Sequence, residues 1–275
     1  MVVRAWIPAL VCALIFGASP VATAEPEFIT LASTTSTDNS GLLEHLIPLF
    51  REESGVDVRV VAVGTGQAIR LARAGDADVL LVHDRASEET FVEAGHGLER
   101  VLVMANDFVV VGPSGDPAGV RGETDIAVAL GLIAEAKAPF LSRGDDSGTH
   151  KAELRLWRAA GVDPGPDSGT WYREAGRGMG ATLNSAASMG AYTLSDRGTW
   201  LSFRNREGLV IVSEGDPQLE NPYGAIVVNP QRHPHIKVEQ AQAFVAWLIS
   251  EAGQRAIAEF RVGDEPLFFP RASRR

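Results

Sequence analysis

The stretch Ser33-Thr-Thr-Ser-Thr-Asp-Asn-Ser-Gly41 decides how the fold is organised, because an apolar strand leads into it and a helix begins where it ends. Residues 28–32 have strand character, and apolar residues recur at helical spacing over residues 42–50. Six of the first eight residues of the stretch carry hydroxyl groups. The first N–H groups of a helix have no intrahelical acceptor and lie at the positive end of its dipole. This turn predicts a site for an anion with several acceptor oxygens, although the same residues also serve as ordinary caps and turns.

Residues 1–24 have the pattern of a secretory signal peptide. Arg4 precedes an apolar run over residues 7–18, and Ala22-Thr23-Ala24 has the small-x-small form of a cleavage site. The run is shorter than the about 20 residues of a membrane-spanning helix. We therefore expect cleavage after Ala24 and a periplasmic location.

The composition limits the classes of function. The only cysteine, Cys12, lies inside the predicted signal peptide, so the mature chain has no disulfide, no thiol nucleophile and no cysteine-ligated metal. The formal net charge of −10 argues against nucleic acid and anionic membranes as partners. A small anion is not excluded, because it responds to local donors rather than to net charge.

Strands and helices alternate after the first helix, which predicts an α/β fold of βαβ units with helices on both faces of mostly parallel sheets. We predict strands at residues 56–63, 78–82 and 101–104, and a further strand at residues 108–112. Proline and glycine over residues 113–117 end this pattern, and the chain returns in a strand at residues 223–229. The predicted division is a signal peptide at 1–24, lobe 1 at 25–108, lobe 2 at 109–222 and the return to lobe 1 at 223–275.

A second polar turn, Ser142-Arg-Gly-Asp-Asp-Ser-Gly-Thr-His150, also follows a short apolar strand and precedes a helix. It adds Arg143, a permanent cation able to contact two oxygens of one anion. The alternative for Arg143 is an ion pair with Asp145 or Asp146. Thr65, in a glycine turn after the second strand, is a further donor, because ligands of open α/β sheets bind at the carboxyl ends of strands.

Other sequence patterns are weaker indications of a functional site. Residues 176–180 contain a glycine cluster without a preceding strand, which indicates a tight turn rather than a nucleotide site. His233-Pro-His235 has no nearby acid for a metal site. His150 beside Ser147 suggests a hydrolytic pair, but residues this close on one helix rarely adopt triad geometry. We predict no catalytic residue and no direct metal ligand.

The chain resembles the tungstate-binding proteins of Tup-type ABC importers over nearly its whole mature length. The resemblance implies a two-lobe type II periplasmic binding protein fold, with two crossing strands and an oxyanion held between the lobes. It is carried by Leu31-Ala-Ser-Thr-Thr-Ser-Thr-Asp-Asn-Ser-Gly-Leu-Leu43, Asn106-Asp-Phe-Val-Val-Val-Gly-Pro113, Ser142-Arg-Gly-Asp-Asp-Ser-Gly-Thr149, Gly178-Met-Gly-Ala-Thr-Leu183, Ala191-Tyr-Thr-Leu-Ser-Asp-Arg-Gly-Thr199 and Asn221-Pro-Tyr223.

The family's binding residues map onto hydroxyls and one arginine of this sequence. The family's Thr-Thr-Thr-Ser signature becomes Ser33 to Ser36, so a serine replaces its first threonine but keeps a hydroxyl. The matches at Thr65 and Ser195 are weaker. By resemblance, Asp145 and Asp146 orient the arginine or cap the helix. The implied oxyanion-binding residues are Ser33, Thr34, Thr35, Ser36, Thr65, Arg143, Ser147 and Thr149.

The ligand class follows from the resemblance together with simple anion chemistry. Tungstate is a tetrahedral dianion with acceptors only, and molybdate has nearly the same size. Hydrogen phosphate needs an acceptor facing its proton, and sulfate is smaller. The resemblance points to tungstate, with molybdate, sulfate or phosphate as alternatives, and from another class an exported phosphate-ester hydrolase. It implies no cofactor, a monomer, and a membrane permease and ATPase as partners.

Overall fold

Parallel and antiparallel strand pairs divide the chain into two lobes. The computed structural model describes residue 2 and residues 27–272, so the predicted cleavage site and nearly all of the predicted signal peptide lie outside the described residues. The strands are β1 (Phe28–Thr34), β2 (Asp57–Val63), β3 (Val79–Val82), β4 (Gly97–Pro113), β5 (Phe140–Ser142), β6 (Tyr172–Glu174), β7 (Thr193–Asp196), β8 (Leu209–Ser213), β9 (Glu220–Val228), β10 (Arg261–Val262), β11 (Glu265–Pro266) and β12 (Phe269–Pro270). The helices are α1 (Thr35–Asn39), α2 (Leu42–Ser54), α3 (Thr65–Ala74), α4 (Arg85–Glu93), α5 (Ile126–Glu135), α6 (Gly148–Ala159), α7 (Met179–Met189), α8 (Arg197–Ser202), α9 (Val238–Ile249) and α10 (Glu251–Glu259).

Lobe 1, the elements from β1 to α4 together with α9 and α10, is built on three parallel strands. β1 pairs in parallel with β2 on one side and with β3 on the other. Successive side chains of a strand point to opposite faces, so Leu31 packs against Phe50 and Phe244, while Ala32 packs on the opposite face with Ala68 and Phe91. Because helices cover both faces, the carboxyl edge of the strands is left for polar groups.

Lobe 2, the elements from α5 to β8, repeats this plan with shorter strands. β5 and β6 are parallel, and β7 and β8 pair antiparallel with the second half of β4. One face of the lobe holds an aromatic core that includes Phe140, Trp157 and Tyr192. The other face packs Leu183 and Trp200 against β4. No helix in the described part of the chain is long and apolar enough to span a membrane.

β4 and β9 connect the two lobes. β4 pairs antiparallel with β9 as far as Asp107 opposite Glu220, and with β7 from Phe108 onward. The prediction of two separate strands at residues 101–104 and 108–112 is wrong, because Asn106 and Asp107 interrupt the apolar pattern without interrupting the strand pairing. The parallel pairs within the lobes agree with the predicted βαβ order, whereas the connecting strands add antiparallel pairs and make the large sheet mixed.

Candidate anion-binding site

Three strand-to-helix turns meet between the lobes and enclose a small cavity. They are the turn from β1 into α1, the turn from β2 into α3 and the turn from β5 into α6. The residue that follows β3 completes the wall. The cavity is lined by Thr34, Thr35, Ser36, Val63, Gly64, Thr65, His83, Arg143, Ser147, Gly148 and Thr149.

The cavity is small, with space for about one water molecule. Its volume is ≈ 10 Å³ for the centre of a water-sized sphere, inside ≈ 200 Å³ of space free of protein atoms. About 10–15 Å³ on the first measure accommodates one water molecule. Among the described residues, none of the lining side chains is a carboxylate. The lining of hydroxyls, backbone amides, one guanidinium and one imidazole suits a small solute whose outer atoms accept hydrogen bonds.

Two donors in the lobe 2 wall have no protein partner. Arg143 is 6% exposed and Thr149 is 1% exposed. Neither the Nε of Arg143 nor the Oγ1 of Thr149 has a hydrogen-bond partner among the described residues. Leaving a buried polar group unsatisfied costs about 1–3 kcal/mol, so such groups are rare and ask for an explanation. A ligand with several acceptor oxygens in this cavity would satisfy both atoms.

An aspartate holds Arg143 in place from one side. The Nη2 of Arg143 donates to the Oδ2 of Asp145 at 2.5 Å, and the Oδ1 of Asp145 accepts from the backbone N of Ser147 at 3.1 Å. The ion pair given as the alternative for Arg143 is therefore present, and it orients the guanidinium while leaving its Nε without a protein partner. Asp146 does neither of the predicted tasks, since it contacts Arg70 and Lys151 instead.

The N-terminus of α6 forms part of the same wall. Ser147 caps this helix, and its Oγ accepts from the backbone N of His150 at 3.2 Å. The backbone N of Gly148 donates across the lobes to the Oγ1 of Thr65 at 3.0 Å. The positive end of the dipole of a 12-residue helix therefore faces the cavity. This arrangement favours negative charge at the place where the unpartnered donors lie.

The turn from β1 into α1 uses its hydroxyls differently. The Oγ1 of Thr34 lies 2.7 Å from the Oγ1 of Thr37 and 3.1 Å from the Oγ of Ser36. Thr34, Thr35 and Ser36, which were predicted as binding residues, line the cavity. Ser33 does not, because its Oγ donates to the carbonyl of Leu81 at 2.9 Å in the neighbouring strand. This placement corrects the prediction that Ser33 is a ligand contact.

Two further side chains named in the sequence analysis lie outside the cavity lining. The Oγ of Ser195 donates to the carbonyl of Asp196 at 3.0 Å, so its proton has a backbone acceptor. The Nδ1 of His150 contacts the carbonyl of Asp145, and the Oγ of Ser147 already accepts from the backbone of His150. His150 is therefore not arranged as a base for Ser147.

Polar contacts close the lobes around the cavity. The Nη1 of Arg155 in α6 lies 2.6 Å from the Oδ1 of Asp84 in lobe 1. Asp146 lies 3.3 Å from the Nη1 of Arg70, and Lys151 lies 3.4 Å from Asp146 within lobe 2. The contacts of Arg155 with Asp84 and of Asp146 with Arg70, together with the bond from Gly148 to Thr65, show a closed arrangement of the two lobes.

The histidine pair at residues 233 and 235 has a structural task. The Nε2 of His233 lies 3.0 Å from the carbonyl of Arg73, and the Nε2 of His235 lies 2.8 Å from the carbonyl of Gly75. Both imidazoles thus bind backbone at the end of α3. Over residues 27–272, no group of three or more histidine, cysteine or acidic residues is placed to hold a metal ion.

Comparison with known proteins identifies the family of this chain. A PBP superfamily domain model matches residues 19–252. The tungstate-binding protein TupA of Peptoclostridium acidaminophilum is 51% identical over 252 residues, which are 90% of this chain and 86% of that protein. The chain belongs to the TupA family within the PBP superfamily. The resemblance noted in the sequence is thereby confirmed.

Solved TupA-family structures share the fold. A tungstate-binding protein TupA from Desulfovibrio alaskensis G20 aligns with a TM-score of 0.80 and 46% identity, over 90% of this chain and 100% of that one. The structure of a tungstate ABC transporter protein from Geobacter sulfurreducens aligns with a TM-score of 0.78 and 47% identity, over 85% of this chain and 99% of that one. The predicted two-lobe binding-protein fold is confirmed.

His83 is the cavity residue that the sequence analysis missed in this TupA-family chain. It is 3% exposed, and its ring stacks on Tyr223 with the centroids 4.9 Å apart. Its Nδ1 lies 3.0 Å from the Oδ1 of Asn221. Burial lowers the pKa of the imidazole below its ordinary value. The signal that could have found it is its position directly after β3, at the same sheet edge as the three turns.

Proposed function

We propose that this chain captures tungstate in the cavity between its lobes and delivers it to the permease of an ABC importer. The observation that carries the proposal is the pair of buried donors, Arg143 Nε and Thr149 Oγ1, which lack a protein partner beside one small cavity. Membership of the TupA family supports the choice of ligand, because relatives of this chain are named as tungstate-binding proteins.

The chemistry of the lining supports a fully deprotonated dianion. Guanidinium, hydroxyl and backbone N–H groups all donate, and the start of α6 adds a positive dipole end. Such a lining favours tungstate, molybdate or sulfate over hydrogen phosphate, whose proton needs an acceptor. Sulfate is smaller and would make longer bonds in a cavity shaped for tungstate. Molybdate has nearly the same size as tungstate, so we propose it as a second ligand, bound with lower affinity than tungstate.

Capture needs no bond making or breaking. Ligand binding by donors alone requires no cofactor, and we include none. The relatives are named as binding proteins and not as enzymes. With His150 turned toward Asp145, hydrolysis of phosphate esters has no base at Ser147 and is not proposed.

Delivery requires a partner in the membrane. The signal pattern of residues 1–24 supports export to the periplasm, and the related structure from Geobacter sulfurreducens is named as a tungstate ABC transporter. We infer that the closed surface formed by both lobes is presented to a permease coupled to an ATPase, with the binding protein acting as a monomer. Hinge closure of two lobes around a ligand is the common transition of such proteins.

Isothermal titration calorimetry of the purified protein with tungstate, molybdate, sulfate and phosphate tests the proposal. We expect binding of one tungstate per chain, with tungstate the tightest of the four. Equal affinities for tungstate and molybdate would widen the proposal to both metal oxyanions. The absence of heat and of thermal stabilisation with all four anions would overturn it.

A matched pair of variants tests the site itself. In Thr149→Val the unpartnered hydroxyl is removed, and we expect tungstate affinity to fall by roughly 10-fold to 100-fold, since a hydrogen bond to a charged group is worth about 1.5–3 kcal/mol. Thr193→Val is the control, because Thr193 is also 1% exposed with an unpartnered Oγ1 but does not line the cavity. Similar affinities in the two variants would show that Thr149 is not a ligand contact.

A further inference from the structure

One ring nitrogen of His83 is hydrogen-bonded to another side chain of the protein. Its Nδ1 faces the Oδ1 of Asn221 at 3.0 Å. The amide of Asn221 is oriented by its Nδ2, which donates to the Oδ1 of Asn106 at 2.7 Å, and the Nδ2 of Asn106 donates in turn to the hydroxyl of Tyr223 at 3.3 Å. Since the oxygen of Asn221 only accepts, the Nδ1 of His83 carries a hydrogen. The Nε2 is therefore the nitrogen that gains or loses a proton.

The ring also lines the cavity and packs against its wall. A Cβ atom added at Gly148 would lie 2.6 Å from the Cε1 and 2.9 Å from the Nδ1 of His83, and 3.1 Å from the Oγ1 of Thr65. The Cε1–Nδ1 edge of the ring thus packs against the start of α6, next to the unpartnered Thr149. The hydrogen bonds of the described residues include none to the Nε2 of His83.

The charges around His83 come from three places. Asp84 follows it in the chain, Asp196 faces it from the end of β7, and Arg143 faces it from the turn into α6. The side packed by β9 presents the ring of Tyr223. The two carboxylates favour the protonated imidazole and Arg143 opposes it, but burial is the largest effect and keeps the imidazole neutral.

A bound dianion changes this balance. A neutral Nε2 presents a lone pair, which repels the acceptor oxygens of tungstate or sulfate, whereas a protonated Nε2 donates to them. An opposite charge within about 4–6 Å favours the charged form of a group and raises the pKa of an imidazole. The loss of solvation that holds the imidazole neutral is then offset by the anion.

We propose that His83 is a further anion-binding residue, and that capture of a dianion adds one proton from solution to its Nε2, which then donates to an anion oxygen. This inference rests on the proposed function, since it requires an oxyanion in this cavity. Protonation also replaces the lone pair of the neutral Nε2 with a donor, which disfavours the proton of hydrogen phosphate at this side of the cavity. The proton moves from the buffer to the imidazole, and no covalent bond of the anion changes.

Proton-linked binding has a defined sign. The pKa of His83 is higher with the anion bound than without it, so binding takes up protons between these two pKa values. In that range the affinity falls by up to about tenfold per unit of rising pH, and below it the affinity is constant. Sulfate and tungstate are both deprotonated at pH 7–9, so a proton taken up there comes to the protein.

Calorimetric titration of the full protein in two buffers of different ionisation enthalpy measures this uptake. With tungstate, and with sulfate as a second probe, we expect uptake that approaches about one proton per anion in the wild type. His83→Gln cannot titrate and keeps an amide donor, and we expect no uptake and an affinity independent of pH. His45→Gln, which changes a histidine away from the cavity lining, should retain the full uptake.

Glu153 is the competing proton acceptor, because burial raises the pKa of its carboxyl to about 7 and it follows Thr149 by one helical turn. Uptake that persists in His83→Gln and disappears in Glu153→Gln would overturn the proposal. A direct measurement needs no variant: NMR titration of the His83 imidazole should show its pKa rise by at least about one unit on saturation with tungstate.

The outcomes separate this inference from the proposed function. Tungstate binding without proton uptake would overturn the role of His83 and leave the capture of tungstate standing. If none of the oxyanions binds at any pH, both fail. Uptake with tungstate and sulfate that is lost only in His83→Gln supports the inference.

Discussion

The two polar turns of the cleft are alike in sequence and different in structure. In the turn from β1 into α1, the hydroxyls of Ser36 and Thr37 both lie within hydrogen-bond distance of the Thr34 hydroxyl, and Ser33 donates to a strand carbonyl. In the turn from β5 into α6, Arg143 and Thr149 keep buried donors without a protein partner. In the first turn most of the hydroxyls already have protein partners, whereas the second turn has buried donors that are available to a ligand.

This difference shows that the number of hydroxyl groups in a turn does not give the number of donors available to a ligand. A hydroxyl can rotate its proton toward any nearby acceptor, so a cluster of hydroxyls satisfies itself. A guanidinium has five N–H groups in a rigid plane, and an aspartate on one side leaves others unused. The second turn should therefore dominate binding, and the first should shape the cavity.

Arg143→Gln should give the largest effect on binding. It removes the only permanent cation of the cavity lining among the described residues, and the dianion loses its contact with the guanidinium. Truncation of one partner of a buried charged contact costs about 2–5 kcal/mol, which is a loss of roughly 30-fold or more in tungstate affinity by calorimetry. Arg206→Gln is the control, since Arg206 packs over Trp200 in lobe 2 and is not part of the lining. If the tungstate affinity of Arg143→Gln is within twofold of that of the wild type, the second turn does not dominate binding.

Glu153→Gln should change the pH dependence of stability. Behind the second turn, Glu153 accepts from the hydroxyl of Tyr172 at 2.8 Å and from Trp157, and its pKa is raised from 4.5 to about 7 by burial. A carboxyl with a raised folded pKa binds more protons in the native state, so the free energy of unfolding falls as pH rises from 4.5 to 7. In Glu153→Gln the part of this fall in the free energy of unfolding that comes from Glu153, which amounts to as much as about 3 kcal/mol in the wild type, is absent.

Urea unfolding at several pH values measures this change. Glu88 also has a pKa raised to about 7 by burial, so part of the fall remains in the Glu153→Gln variant. Identical pH profiles for the wild type and the variant would mean that Glu153 does not support the turn as a neutral acid.

Ser33→Ala should have the smallest effect on binding. The change removes the bond from the Oγ of Ser33 to Leu81, and we expect a loss of about 1 kcal/mol in the free energy of unfolding. Tungstate affinity should stay within about twofold, because a strand carbonyl already holds this hydroxyl. A tenfold or greater loss of affinity would instead return Ser33 to the ligand contacts and make the two turns equivalent.

Much of the fold is visible in the sequence because it rests on local patterns. Apolar periodicity indicated β1 and α2, and alternating elements indicated the parallel strands of lobe 1. The error at β4 has a physical cause. Asn106 and Asp107 lie opposite Asn221 and Glu220, and only this pairing keeps a polar segment extended.

The candidate site was partly predictable for the same reason. Seven of the eight predicted oxyanion contacts line the cavity, because strand ends and helix starts bring Thr65, Arg143 and Thr149 to one sheet edge. His83 was not recognised, since a single histidine after a strand has no motif. Its partner Asn221 is 138 residues away, and no local pattern reports such a pairing.

The sequence alone determined the polar turns, their place after strands and the family to which the chain belongs, since these depend on local residue order. The tertiary structure decided which donors remain free. Ser33 and Arg143 both lie where a strand meets a polar turn, yet the hydroxyl donates to a neighbouring strand and the guanidinium contacts an acid on one side only. Hydrogen bonds between distant segments form only when the chain is folded, and they set which groups are left to bind a ligand.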